Sequence, residues 1–162
     1  MTSNPLVRAG EIQDGAFAFR HPLDPSAGCR ITPVSRLTGL GSAAINIVRI
    51  ASGERAFPLH RHQGEEEWTY VVEGAGKVQL DDEMHDIAAG DFVAFAPGGA
   101  AHAVMNTGAA EMICLMGGDM PTADVIDFPE LVKRVVRDAQ GFAAASSESF
   151  EKIFPAPRGE TE

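Results

Sequence analysis

The most informative part of the sequence is residues 53–74, which read GERAFPLHRHQGEEEWTYVVEG. His60 and His62 are two residues apart, so on an extended strand both imidazoles point to the same face. Glu67 follows after Gln63–Glu65, a stretch in which the chain can turn. The segment therefore predicts two imidazoles and one carboxylate close together.

A third imidazole comes from residues 90–106, which read GDFVAFAPGGAAHAVMN. His102 follows the turn residues Pro97–Gly99 and belongs to a strand much further along the chain. Three imidazoles and one carboxylate suit a first-row divalent metal, and zinc, iron, manganese, nickel and cobalt are all compatible with them. Spacing alone supports such a site only weakly, because histidines near turns are common.

The segment from about residue 34 to 118 has the pattern of an all-β fold, in which short apolar or alternating runs are separated by turn residues. Seven or more short strands in one domain indicate a sandwich or a barrel. The runs are Ala43–Ile50, Glu67–Val72, Lys77–Leu80, Met84–Ile87, Phe92–Phe95, Ala101–Asn106 and Met112–Met116.

The two histidine segments resemble the two motifs of the cupin superfamily, and the Glu65–Trp68 run resembles a subgroup of small cupins of unassigned activity. Each motif has one residue more than the usual pattern, which a β-bulge could hold. The resemblance implies an all-β, double-stranded β-helix (jelly-roll) barrel with a divalent transition metal inside it. The ligands that it implies are His60, His62, Glu67 and His102.

Glu66 is the alternative carboxylate ligand. The six-residue gap between Glu67 and Gly74 fits the motif and favours Glu67. In that register Thr69 and Val71 point into the barrel, whereas Trp68, Tyr70 and Val72 point outward.

This outward row is apolar and must be covered. Phe17 and Phe19 of the N-terminal region can cover part of it, and a two-fold contact between identical subunits is the commonest way to cover the rest. The sequence therefore predicts a homodimer. The alternative is that the N-terminal region and a C-terminal helix cover the row within one chain.

Three parts follow from the changes in pattern along the chain: an N-terminal arm over residues 1–33, the cupin barrel over 34–120, and a C-terminal helix and tail over 121–162, packed on the barrel. Phe17 and Phe19 alternate and predict a short strand in the arm. Residues 129–138 are predicted to be helical, because Leu131, Val135 and other apolar residues fall on one face at helical spacing.

Charge and cysteine content restrict the partners and the location. The net charge is −10 in 162 residues, which disfavours binding to nucleic acid and anionic membranes. Cys29 and Cys114 match no zinc-finger spacing, and we see neither an export signal nor an apolar stretch long enough to cross a bilayer. We expect two reduced thiols in a cytoplasmic protein.

Cupins include dioxygenases, isomerases, lyases, decarboxylases and non-catalytic binders, and the fold does not choose among them. The sequence predicts a metal-binding cupin that acts on or binds a small organic molecule, as a dioxygenase, isomerase or lyase. The alternative is a non-catalytic small-molecule or metal-sensing module. No catalytic residue beyond the ligands is evident. His21 and His85 have no motif support, and Asn106 either lies near the site or starts a turn.

Overall fold

The structure is a computed structural model that describes residues 4–151 and 153. Its two short helices are α1 (Ala9–Asp14) and α2 (Val34–Thr38). Two single 3-10 turns cover Pro129–Leu131 and Ser147–Ser149. The remaining elements are strands: β1 (Phe17–His21), β2 (Asp24–Pro33), β3 (Ala43–Ile50), β4 (Arg61–His62), β5 (Glu67–Glu73), β6 (Ala75–Leu80), β7 (Glu83–Ala88), β8 (Phe92–Phe95), β9 (His102–Met105), β10 (Met112–Asp119), β11 (Asp124–Phe128), β12 (Lys133–Asp138) and β13 (Gly141–Ser146).

Two walls of strands form the barrel. One wall is a six-stranded sheet with the order β1-β2-β3-β10-β5-β8. The other consists of two smaller sheets, β13-β12-β11-β4 and β7-β6-β9. Backbone hydrogen bonds join these two sheets where His60 and His102 lie opposite each other: each N–H donates to the other residue's carbonyl, at 3.1 and 2.7 Å. The predicted jelly-roll barrel is confirmed.

The alternating runs of the central segment form strands because one of their faces is buried between the walls. In β5, Thr69 and Val71 are buried while Tyr70 and Val72 are exposed. The main core lies between the walls and includes Val48, Ile50, Val78, Met112 and Cys114. Each of the seven predicted runs overlaps one strand, from β3 to β10.

The N-terminal arm is part of the large sheet. The predicted strand at Phe17 and Phe19 is β1, which pairs with β2, and β2 in turn pairs with β3. Phe19 packs against the main core, whereas 49% of Phe17 stays exposed. The arm therefore lengthens one wall by two strands.

The predicted C-terminal helix over Pro129–Asp138 is wrong. Helical structure is limited to the 3-10 turn at Pro129–Leu131, which ends at Val132 in the left-handed conformation, with φ at 53°. The chain then forms β12, a strand paired with both β11 and β13. Valines favour such pairing because their β-branched side chains pack well on a pleated surface.

The tail beyond residue 153 lies outside the described residues. The division of the chain at residues 33/34 and 120/121 stays a prediction.

Candidate metal centre

Four side chains from different parts of the barrel meet at one point, and we call His60, His62, Glu67 and His102 the donor cluster. The Nε2 atoms of His60, His62 and His102 lie 3.4, 3.3 and 3.0 Å from Glu67 Oε2. The three imidazoles are buried, and 27% of the Glu67 side chain is exposed. His60, His62 and Glu67 lie close enough to hold one metal ion together.

Hydrogen bonds fix the orientation of two of the rings. His60 Nδ1 lies 2.8 Å from the carbonyl oxygen of Pro58, and His62 Nδ1 lies 2.5 Å from Asp124 Oδ2. Both partners can only accept, so each Nδ1 carries the proton and donates it. In the neutral rings the Nε2 lone pairs of His60 and His62 therefore face Glu67.

His102 is held differently. Its ring stacks on Phe95, with centroids 3.7 Å apart and planes at 4°. Its buried Nδ1 has no hydrogen-bond partner in the described part of the chain. Packing against an aromatic ring thus replaces the hydrogen bond that orients the other two imidazoles.

The electrostatics of the donor cluster favour a cation at its centre. Burial alone would raise the pKa of Glu67, but the hydrogen bond with His102 and the adjacent ring of His60 outweigh burial and hold the pKa well below its ordinary value. Burial lowers the pKa of His60, yet the Glu67 carboxylate more than compensates and raises it. Burial lowers the pKa of His102. The carboxylate is therefore ionised and faces three nitrogen atoms.

The donor set fits a divalent metal. Two imidazole lone pairs that face an ionised carboxylate oxygen repel it unless a proton or a metal ion lies between them. Neutral imidazole nitrogen and carboxylate oxygen are the ligands that first-row transition metals prefer. A hydrogen-bonded outer partner, such as the Asp124 carboxylate behind His62, is the usual support of a metal-binding histidine.

Two further carboxylates lie beside His62, on the side of the ring that faces away from Glu67. The buried carboxylates of Glu65 and Asp124 lie on its Nδ1 side, at 3.6 and 2.5 Å. Arg137 Nη1 forms an ion pair with Glu65 Oε2 at 2.7 Å, without the geometry of a hydrogen bond. Burial raises the pKa of Glu65, against the influence of His62 and Arg137. Asp124 and Arg137 could not be found from the sequence, because β11 and β12 approach His62 only in the folded chain.

The donor cluster lines a cavity of about 320 Å³ that lies between the two walls of the barrel. His21 also lines this cavity, although it lacks motif support. Leu23 N–H donates to His21 Nδ1 at 3.3 Å, so the neutral ring carries its proton on Nε2. No motif in the sequence marks this residue, because β1 joins the barrel only through its pairing with β2.

The other candidate residues lie elsewhere. Glu66 is exposed and outside the donor cluster; its backbone N–H donates to Asp119. His85 is an exposed residue of β7, near Glu83. Asn106 is buried and accepts a hydrogen bond from Gly108 N–H, so it belongs to a turn.

A jelly-roll barrel with a His/Glu group at an internal cavity is the class of protein that these observations define. Residues 46–117 match the model of the cupin domain. These residues form a cupin domain.

Solved structures agree with this assignment. A candidate sugar phosphate isomerase from Acidithiobacillus ferrooxidans ATCC 23270 is 29% identical, with a TM-score of 0.88 over 93% of this chain and 97% of that one. A sugar phosphate isomerase of the cupin superfamily from Silicibacter pomeroyi DSS-3 is 24% identical, with a TM-score of 0.75 over 83% and 87%. A candidate oxalate decarboxylase from Thermotoga maritima is 20% identical, with a TM-score of 0.59 over 72% and 99%. The last two support the fold alone.

No curated protein matches the sequence. Among the described residues, no helix has the length and apolar character that spanning a membrane requires.

Proposed function

We propose that the protein is a metal-dependent enzyme for a small organic molecule, with one divalent transition metal on His60, His62, Glu67 and His102. The observation that carries this proposal is the convergence of three Nε2 atoms within 3.4 Å of one carboxylate oxygen at a cavity wall. Zinc, iron, manganese, nickel and cobalt all suit these ligands. When bound, such a metal supplies a Lewis acid that polarises a substrate oxygen.

The chain's own residues would orient the substrate and the ligands. Pro58 and Asp124 hold the rings of His60 and His62 with their lone pairs toward the centre. His21 adds a neutral Nε2–H donor on the cavity wall, because burial and then the nearby His60 lower its pKa. A hydrogen-bond donor near a polarised substrate oxygen supports catalysis over simple binding.

The reaction class is the less constrained part of the proposal. The name of the A. ferrooxidans protein favours isomerisation, whereas dioxygenase and lyase reactions are compatible with the same ligand set. A non-catalytic binding module is the alternative, and it would hold metal and ligand without turnover. Assays of the metal-loaded protein for product formation separate these two possibilities.

Metal content tests the centre directly. We expect about one divalent metal ion per chain in the wild type and loss of most of it in His60→Ala, His102→Ala and Glu67→Gln. Glu66→Gln is the matched control, because it makes the same change on an exposed neighbour. Elemental analysis with circular dichroism of the same samples gives the answer. Wild-type metal content in the folded His60→Ala and His102→Ala variants would reject the assignment.

We also propose that the protein is a homodimer. An apolar stripe crosses the outer face of the large sheet, since Ile47, Leu115, Tyr70 and Phe92 are successive cross-strand neighbours. Tyr70 and Phe92 are 40% and 60% exposed, so no described residue covers this end of the stripe. Burial of such a surface stabilises association by about 25 cal/mol per Å² of apolar area.

Light scattering behind a size-exclusion column tests the dimer at tens of micromolar protein. We expect twice the chain mass for the wild type and a larger share of monomer for Tyr70→Lys. Phe17→Lys is the control, because it also replaces an exposed aromatic side chain by lysine but lies on another strand. A wild-type monomer would contradict the proposal. The cytoplasmic location stays a prediction that rests on the two unpaired thiols.

A further inference from the structure

The cavity beside the donor cluster is lined mainly by apolar side chains. Val48 and Met116 face it from the large sheet, Phe57 and Val104 from the opposite wall, and Phe142 lies at its edge. Apart from the donor cluster, the lining residues with polar side-chain groups are His21, Asn46, Trp68 and Thr69, and none of them carries a permanent charge. Such a surface favours an apolar ligand body and offers few polar contacts.

No lysine or arginine lines the cavity among the residues that the structure describes. The arginines nearby are engaged elsewhere: Arg137 pairs with Glu65, Arg55 with Asp24 and Glu130. A phosphate group is normally held by arginine, lysine or a set of backbone N–H groups at a helix N-terminus. The lining offers none of the charged partners that a phosphorylated sugar requires.

Cavity size is compatible with such a ligand. A volume of about 320 Å³ lies at the lower end of the range for small-molecule sites, enough for a ring and a short polar head. Asn46 and Thr69 both lie next to Met116 across the sheet, so the neutral polar groups flank an apolar floor. They can hydrogen-bond one carbonyl or hydroxyl group without rejecting an apolar ring.

We propose that the cavity takes a small, mainly apolar organic molecule with a single oxygen-bearing, metal-binding head, and that it excludes sugar phosphates. This inference rests on the metal centre proposed above. It separates the substrate of this chain from the one in the names of the two sugar phosphate isomerases compared above, and it assigns the specificity to the uncharged lining of the cavity.

A matched pair of hydroxamates tests the ligand class, because benzohydroxamate and acetohydroxamate share the metal-binding head and differ in the phenyl ring. Zinc binding by the wild type is measured first by calorimetry, and then each hydroxamate is titrated into the zinc-loaded protein. We expect benzohydroxamate to bind at least roughly tenfold more tightly, as burial of a phenyl-sized group implies. Fructose 6-phosphate at millimolar concentration should not displace it.

A cavity-edge variant tests the location of the ring. Phe142 is 72% exposed, so Phe142→Ala should fold normally, weaken benzohydroxamate binding severalfold and leave acetohydroxamate binding unchanged. Phe17→Ala removes a half-exposed aromatic ring outside the cavity and should change neither affinity.

The outcomes distinguish this inference from the proposed function. Failure to bind zinc overturns the metal centre and the ligand class with it. Zinc binding with equal affinity for the two hydroxamates, or with tighter binding of fructose 6-phosphate, overturns the ligand class alone.

Discussion

The two ends of β9 place inward-facing polar side chains in opposite chemical situations. Asn106, just beyond one end, is fully buried and uses its amide in three hydrogen bonds, with Ile50 O, Ala110 O and Gly108 N–H. His102, at the other end, leaves Nδ1 without a described partner and directs Nε2 at Glu67 beside the cavity. A polar side chain whose hydrogen bonds are all formed within the chain stabilises the fold, whereas one that is directed into a cavity is available to bind a ligand.

The largest expected effect comes from Asn106→Leu, which removes hydrogen bonds from three backbone groups, of which the one at Ile50 O is buried. We expect a loss of about 3 kcal/mol in the free energy of unfolding, seen as a Tm lower by roughly 6–12 °C. Metal content per folded chain should not change. His102→Ala is the reciprocal control, with metal lost at a smaller cost in Tm. Equal metal loss in both variants would contradict the different roles assigned to the residues at the two ends of β9.

Asp124→Asn tests the support of the donor cluster. The substitution keeps a hydrogen-bond acceptor for His62 Nδ1–H and removes the negative charge, so we expect metal affinity to fall by about ten- to hundredfold. Competition with a chelator of known affinity measures it. Asp119→Asn removes the same charge from an exposed carboxylate that accepts a hydrogen bond from Glu66 N–H, and the metal affinity of this variant should stay at the wild-type level. Matching affinities for the two variants would show that Asp124 has no such role.

A smaller effect is expected from Phe95→Leu, which removes the ring stacked on His102. Since no described residue forms a hydrogen bond with His102 Nδ1, metal affinity should fall severalfold, together with a stability loss of about 1 kcal/mol. Phe92→Leu, on the outer face of the same strand, is the control. A loss as large as that of Asp124→Asn would contradict this ranking of stacking below charge.

The smallest effect concerns the two thiols, which lie in the closed interior. Burial raises the pKa of Cys29 and Cys114 to about 12, so roughly one group in ten thousand is ionised at pH 8. Both should react slowly with a thiol reagent in the folded protein, with or without metal, and two should react after unfolding without reductant. Rapid reaction in the folded state would mean that the packed part of the barrel opens; fewer than two thiols after unfolding would indicate a disulfide.

The central strands could be predicted from the sequence, because each buries one face and ends at a turn residue. Gly74 and Gly90, for example, adopt positive φ values of 87° and 98° after β5 and before β8, where glycine has no steric penalty. The donor cluster was predicted from its spacing and from the family resemblance, and the structure brings the four residues together.

The C-terminal hairpin could not be predicted by the same means. Leu131 and Val135 fit helical spacing, but Val135 is buried in β12 between Ile126 and Ala144, its partners on the neighbouring strands. Those partners are chosen by tertiary packing, which periodicity in one segment does not encode. For the same reason the sequence did not place Asp124 or His21 at the site, since each reaches the site only through the pairing of its strand in the folded chain.

The donor cluster contains residues of all three sheets: Glu67 belongs to the six-stranded sheet, His62 to the four-stranded sheet and His102 to the three-stranded sheet. The segment that precedes β4 is joined to β9 of the three-stranded sheet by two isolated bridges, His60–His102 and Arg55–Met105. An ion bound by all four side chains would link the three sheets at this point. Amide hydrogens exchange with solvent when the sheets separate transiently, and this separation would then have to break coordination bonds as well. The rate of amide exchange in these sheets would therefore fall as metal occupancy rises.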